Sequence, residues 1–187
     1  DAVSTLSPWL EARMLPKEAM LATLEGQTHR RFIKTHLAAD GLPIHPTVKY
    51  IAVGRDGRDV LMSLWNHYKN YAEGTFKRIR ERLIIDGGDG SEFPRAPDSI
   101  DEFWREWCTR GWFDGQGDGW PFWSELYIMQ SWWELRSEPN VLLMHYSDML
   151  ADTRSAVAEI AQFLEIGLSS ERLGEVVSTV SFDNMKN

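Results

Sequence analysis

A short hydrophobic segment that ends in a glycine and a charged turn limits most strongly how this chain can fold. Residues 48–53 (VKYIAV) have strand-forming side chains, Gly54 ends the run, and the turn 55–59 (RDGRD) leads into a helical pattern. Residues 140–146 form a second run, whose continuous hydrophobicity suits a buried parallel strand and which another helical pattern follows. Strands that alternate with helices predict an α/β fold with a parallel sheet flanked by helices.

The other elements are predicted from periodicity and from capping residues. Asp59 is expected to cap the helix after the first turn, which runs to about Tyr71. Ser99 and Glu102 form a capping box for a later helix, whose apolar face would hold Ile100, Phe103, Trp104 and Trp107. The remaining expectations are a helix over residues 7–24 that Pro16 can break, a strand over 31–36, and helices over 123–136 and 153–164.

Charge and cysteine content exclude several functional classes. A net charge of -8 disfavours binding to nucleic acid or to an anionic membrane, because both need an excess of Lys and Arg. The single cysteine, Cys108, excludes an internal disulfide and is expected to pack as a small apolar residue. No apolar run reaches the roughly 20 residues that span a bilayer, and no signal peptide opens the chain. We expect a cytoplasmic protein.

The strand ends carry the side chains that can do chemistry. Ligands of open α/β sheets bind beyond the carboxyl ends of the strands. The first predicted strand delivers Lys34 and His36, the second delivers Arg55, and the third delivers Tyr146. Arg55, the hydroxyl of Ser63 and the positive end of the following helix could converge on one phosphate. Such a set can bind an anion and move a proton.

Each of these features also has a simpler explanation. Arg55 could form an ion pair with Asp56 or Asp59 that only closes a surface turn. A lone histidine is usually structural, although His36 titrates near neutral pH and could take a proton from an acceptor hydroxyl. Aromatic residues are dense in this chain, with nine tryptophans, and several lie near the Gly-rich segments around Gly87 and Gly117. Phe76, Phe93, Trp112 and Trp120 could form an acceptor lid or simply complete the core.

Taken together, these segments resemble the cytosolic sulfotransferases, which use 3'-phosphoadenosine 5'-phosphosulfate (PAPS) as donor. The resemblance lies in blocks that occur in the family's order: RFIKTHL at 31–37, KYIAVGRDGRDV at 49–60 with Ser63 and WNHY at 65–68, then WWE at 132–134, VLL at 141–143 and YSDM at 146–149, and SFDNMK at 181–186. The resemblance covers most of the chain. It implies a sulfotransferase architecture related to the P-loop nucleotide kinases.

The resemblance also implies roles for individual residues. His36 would be the general base, Lys34 would lie at the transferring sulfuryl group, and Arg55 and Ser63 would bind the 3'-phosphate of PAPS. Tyr146 would contact the adenosine. Phe182 would lie against the adenine with Ser181 and Met185 nearby, although Val180 stands where the family often has threonine. The implied reaction needs no metal.

Two family segments are missing from these 187 residues. One is the N-terminal lysine-containing loop that holds the 5'-phosphosulfate, and the other is the C-terminal Arg-Lys-Gly segment that completes the 3'-phosphate site. We therefore expect residues 1–187 to form a single, truncated sulfotransferase domain. The oligomeric state stays open, because the family's usual dimer segment would lie in the missing C-terminal part.

We expect this protein to transfer a sulfuryl group to a hydroxyl or amine of a small acceptor, which would be apolar or phenolic. Two alternatives remain: a nucleotide kinase on the same fold, and a protein that binds an adenine nucleotide without catalysis. The kinase needs a Gly-x-x-x-x-Gly-Lys-Ser/Thr loop, which this sequence lacks. A pure binding protein would have no need of His36 and Lys34 as a base and a cation at the reacting group.

Overall fold

The computed structural model describes residues 6–11, 16–85, 92–112 and 115–185. It divides into two compact units, Asp1–Pro43 and Ile44–Asn187. The predicted loop over residues 86–90, around Gly87, lies outside the described residues. The single domain over residues 1–187 stays a prediction.

The described part of the first unit includes an α-helix, a short 3-10 helix at Ala39–Gly41 and an isolated strand-like pairing. Helix α1 spans Lys17–Glu25 and begins directly after Pro16, which confirms the second half of the predicted helix over 7–24. Residues 7–11 are not helical, and residues 12–15 lie outside the described residues. The predicted strand over 31–36 is wrong, since only Lys34 pairs, with Trp9, in a single parallel bridge. The main chain of Lys34 donates to Pro8 O at 2.9 Å. Because proline has no main-chain N–H, Pro8 cannot donate the hydrogen bond that would extend this parallel pairing towards the residues before Trp9.

The second unit is built on two parallel strands, β1 (Tyr50–Gly54) and β2 (Val141–His145). Their register runs from Tyr50 beside Val141 to Gly54 beside His145. Both predicted strands and their parallel direction are thereby confirmed. Because parallel strands end at the same edge, the residues that follow Gly54 and His145 emerge side by side.

Helix α2 (Gly57–Lys69) follows β1 but has a different cap from the one expected. Its N-cap is Asp56, whose carboxylate accepts from the main chain of Arg58 at 2.9 Å. The prediction of Asp59 as the cap is wrong, because the helix begins early enough to place Asp59 in its first turn. The C-cap is Asn70, so the helix ends just before Tyr71.

The later helices agree largely with the predicted positions. The cap at Ser99 is confirmed, since its hydroxyl accepts from Asp101 N at 3.2 Å. Tyr146 was expected within the third strand, but it is the first residue of a helix. The bounds are α3 (Glu73–Ile85), α4 (Ile100–Thr109), α5 (Glu125–Glu134), α6 (Tyr146–Ala151), α7 (Thr153–Phe163), α8 (Ser170–Thr179) and α9 (Phe182–Met185). Within the described ranges, no helix is long and apolar enough to cross a membrane.

An aromatic cluster forms the core of the second unit. Its buried members are Leu61, Tyr68, Phe93, Phe103, Trp107 and Trp120. Phe76 and Trp112, which could have belonged to a lid, pack against this cluster, so the core explanation of these aromatic residues is the one observed. Two predictions are wrong: Trp104 is 44% exposed, and Cys108 lies on the exposed side of α4. The buried side of that helix is occupied by Phe103 and Trp107.

Candidate active site

Arg55 and Tyr146 meet at the edge where both strands end. Arg55 follows β1 directly, and Tyr146 follows β2. The Arg55 guanidinium carbon lies 4.7 Å from the centre of the Tyr146 ring. A guanidinium that stacks on an aromatic face is held in one plane, so its N–H groups keep a fixed direction. The structure thus brings together two of the predicted site residues.

The Arg55 side chain has a buried N–H that the described residues leave without a hydrogen-bond acceptor. This atom is Nε. Asp59 Oδ2 is 3.7 Å from Nε, which is beyond hydrogen-bonding distance. The alternative in which Arg55 only closes the turn with Asp59 therefore explains this donor poorly. An arginine with an unsatisfied, partly buried donor is suited to bind an anionic group of a ligand.

The start of α2 borders this arginine. Its cap, Asp56, is engaged with Arg58, whose side chain donates to both carboxylate oxygens, and this pairing holds the pKa of Asp56 well below its usual range. Asp56 is thereby turned towards Arg58. Ser63 is exposed and lies four residues after Asp59, so the two share a helix face. Because Asp59 also approaches Arg55, this face is the one that can add a hydroxyl to the site.

The end of β1 is packed closely against helix α5. A side chain at Gly54 would place its Cβ 2.8 Å from the terminal methyl of Met129, so methionine fills the space that glycine leaves. Tyr50, at the start of β1, contacts the ring of Trp132 with the two centres 5.7 Å apart. Helix α5 therefore supports the strand that carries Arg55.

We expect Gly54→Val to destabilise the protein by about 1–3 kcal/mol, because the larger side chain must displace Met129. Combining it with Met129→Ala should recover part of this loss and give a coupling energy of about 1 kcal/mol in urea denaturation. Gly167→Val is the control, because a Cβ at Gly167 meets open space. Strictly additive effects of the two substitutions would show that Met129 does not fill the space beside Gly54.

His36 and Lys34 come together in the first unit, around the ring of Trp9. The imidazole of His36 meets this indole edge-on with ring centres 4.6 Å apart, and Lys34 Nζ lies 4.9 Å from the centre of the same indole. Burial and the positive charge of Lys34 lower the pKa of His36 below 6.5, while the nearby carboxylate of Glu11 opposes this shift. The imidazole is therefore largely neutral at pH 7, which is the state that a base requires.

The C-terminal candidates are only partly described. Ser181 is half-buried beside α9, and its main chain donates to Ser178 O at 3.3 Å. Helix α9 is tied to α8 by the Asn184 side chain, which donates to the same carbonyl oxygen at 2.6 Å. The side chains of Phe182 and Met185 lie outside the described residues. The roles of these three candidates stay predictions.

Sequence reasoning missed three residues that contact the candidate groups. Trp9 and Glu11 surround His36, and Met129 packs on the glycine before Arg55. Trp9 lies 27 positions from His36 along the chain, and local periodicity carries no signal for such a distant contact. One weak signal existed: Trp9 and Glu11 are two positions apart, so in an extended segment their side chains would lie on the same side.

The family model and similar curated proteins all indicate the same family, the sulfotransferases. A family model described as the sulfotransferase domain matches residues 1–187. A glycolipid sulfotransferase of Mycobacterium bovis is 31% identical over 202 residues, covering 99% of this chain and 60% of that protein. Rat sulfotransferase 1E1 is 29% identical, covering all of this chain and 55% of that protein. The chain thus spans little more than half the length of these relatives.

Solved structures show the same fold. A retinol dehydratase crystallised with androsterone and the inactive cofactor PAP superimposes with a TM-score of 0.64 at 27% identity, covering 92% of this chain and 43% of that one. A mouse sulfotransferase complexed with PAP has a TM-score of 0.67 at 20% identity, covering 92% of this chain and 53% of that one. These likenesses confirm the predicted α/β fold.

Proposed function

Because the chain belongs to the sulfotransferase family, we propose that the whole protein moves a sulfuryl group from PAPS to a hydroxyl or amine of a small acceptor. The observation that carries this proposal is Arg55, which lies against the Tyr146 ring and whose Nε has no hydrogen-bond acceptor among the described residues. This arginine occupies the edge of the sheet at which α/β proteins bind nucleotides.

The donor site fits a nucleotide with a phosphate on its ribose. Arg55 would bind the 3'-phosphate with its charged donors, and Ser63 would add a hydroxyl from the exposed face of α2. Tyr146 would hold the guanidinium in plane and contact the adenosine. Ser181, Phe182 and Met185 would lie around the adenine. When bound, PAPS supplies the sulfuryl group that is transferred.

The acceptor side would use His36 and Lys34. A neutral imidazole can take the proton of an acceptor hydroxyl as the oxygen becomes a nucleophile, and the lowered pKa of His36 keeps it neutral at pH 7. The ammonium of Lys34 would stabilise the negative charge that develops on the reacting group. In reactions of this type, positioning and charge stabilisation provide most of the acceleration.

The acceptor is proposed to be small and apolar or phenolic. The mycobacterial relatives are named for glycolipids, and the structural neighbours were crystallised with androsterone or retinol, all of which have large apolar parts. A cytoplasmic location and a single domain over residues 1–187 belong to the same proposal. The location rests on the sequence, in which a single cysteine permits no internal disulfide.

The test is release of PAP from PAPS by the full-length protein, measured with a panel of phenols, steroids, primary alcohols and amines. We expect PAP release that depends on one acceptor class. For a hydroxyl acceptor, kcat/KM should fall as the pH is lowered through the pKa of His36, with a midpoint below 6.5 because that pKa is lowered. Binding of PAP without turnover on any acceptor would favour the non-catalytic alternative.

A further inference from the structure

Glu11 makes two short contacts at one carboxylate oxygen, and neither contact involves a local helix or turn cap. Its Oε1 accepts from the indole N–H of Trp9 at 2.6 Å. The same oxygen accepts from the main-chain N–H of His36 at 2.5 Å, across 25 residues of sequence. The carboxylate is only 14% exposed, so these hydrogen bonds form in an environment of reduced dielectric constant.

Glu11 also lies close to the side chain of His36. The distance from Oε1 to Nδ1 of the imidazole is 3.9 Å, which is too long for a hydrogen bond but short for a charge interaction. Two charged groups act on the pKa of this imidazole in opposite directions: Lys34 lowers it and Glu11 raises it. The carboxylate therefore influences both the place and the charge of His36.

Trp9 connects these contacts to Lys34. The indole is fixed at its N–H by Glu11, at its edge contact by His36, and on its face by the Lys34 ammonium. The main chain on either side of Trp9 is also bound to Lys34, since Leu10 N donates to Lys34 O at 2.8 Å and Lys34 N donates to Pro8 O at 2.9 Å. Both groups that the proposed function assigns to the reaction thus lie against one indole ring.

We propose that Glu11 is a positioning residue, which holds the indole of Trp9 and the main chain of His36 on one oxygen so that His36 and Lys34 keep a fixed arrangement. This inference rests on the proposed function, because only a base at His36 makes its placement important for the rate. Misplacement of a reacting group by about 1 Å can lower a rate by as much as about 100-fold.

Two substitutions separate the effects of position and charge in the full-length protein. Glu11→Ala removes both contacts, and we expect kcat to fall about tenfold, equivalent to about 1.4 kcal/mol, with PAP affinity unchanged. Glu11→Gln keeps an oxygen that can accept both hydrogen bonds but removes the charge. It should retain most of kcat at high pH and shift the acidic midpoint of kcat/KM to lower pH, since a carboxylate that raises the pKa of His36 is lost.

Two further variants complete the design. Trp9→Phe keeps a ring against His36 but loses the N–H donor, and it should give a smaller fall in kcat than Glu11→Ala. Glu18→Gln is the matched control, because Glu18 is exposed on α1, and it should change neither kcat nor the pH profile. A purely structural role would lower thermal stability and leave the acidic midpoint in place.

The inference is overturned if Glu11→Gln leaves the midpoint unchanged, or if a folded Glu11→Ala protein keeps the wild-type kcat. Should Glu11→Ala fail to fold, the isosteric Glu11→Gln still decides through its pH profile. If the wild-type protein transfers no sulfuryl group, it is the proposed function that fails. If the wild type is active and His36→Ala is not, while the Glu11 variants behave as wild type, only the role of Glu11 fails.

Discussion

Alanine at position 36 is expected to lower kcat for a hydroxyl acceptor by about 100- to 10,000-fold, the range that a general base contributes. The imidazole of His36 is 40% exposed and is neutral at pH 7 because burial and Lys34 lower its pKa. Removing it leaves the acceptor hydroxyl without a group that takes its proton. The affinity for PAP should remain nearly unchanged, since the proposed nucleotide contacts come from other residues.

The measurement for His36→Ala is single-turnover transfer with saturating PAPS, together with calorimetric titration of PAP. His29→Ala is a matched control in the same unit, because His29 is exposed and its ring contacts only Phe32 among the described aromatic residues. We expect this control to keep the wild-type rate. A wild-type rate in His36→Ala would remove this histidine from its proposed role.

The second large effect is expected at Arg55, where alanine should weaken PAP binding by about 10- to 150-fold. This range corresponds to about 1.5–3 kcal/mol for a hydrogen bond to a charged group. Arg55→Lys keeps the charge but loses the planar group that stacks on Tyr146, so its affinity should fall between those of wild type and alanine. Titration calorimetry measures both variants.

Arg58→Ala provides the control for Arg55. Arg58 lies in the same turn, carries the same charge and is 79% exposed, but its side chain is engaged with Asp56. Its loss should change PAP affinity less than twofold, because its guanidinium is already paired with the Asp56 carboxylate and is therefore not a donor left for a phosphate. Equal losses in the Arg55 and Arg58 variants would mean that the turn attracts PAP only by its overall charge.

The sheet and its helices could be predicted because their signals are local. The apolar run of β2 and the charged turn after Gly54 mark a strand and a strand-to-helix connection within a few residues. Because parallel strands end at the same edge of a sheet, the predicted sheet was enough to expect Arg55 and Tyr146 near each other, as they are. The cap was missed because Asp56 and Asp59 both stand near the helix start, and either can accept from the first free N–H groups.

The surroundings of His36 could not be predicted, because they depend on contacts between distant residues. The segment 31–36 is rich in strand-forming residues, yet it pairs only at Lys34, opposite a residue next to a proline. Nothing in its pattern indicates that the carboxylate of Glu11 and the ring of Trp9 enclose the histidine. Tertiary packing decides such contacts, and local propensity carries no record of it.

The central claim is that Arg55 binds a phosphate on the ribose of the donor nucleotide, and isothermal titration of the full-length protein tests it most directly. PAP and ATP with magnesium would be titrated in parallel, with adenosine 5'-phosphate as a ligand that lacks the 3'-phosphate. The account predicts that PAP binds at least about tenfold more tightly than either other ligand, and that Arg55→Ala removes most of this preference. Tighter binding of ATP with magnesium, or equal binding of PAP and adenosine 5'-phosphate, would contradict it.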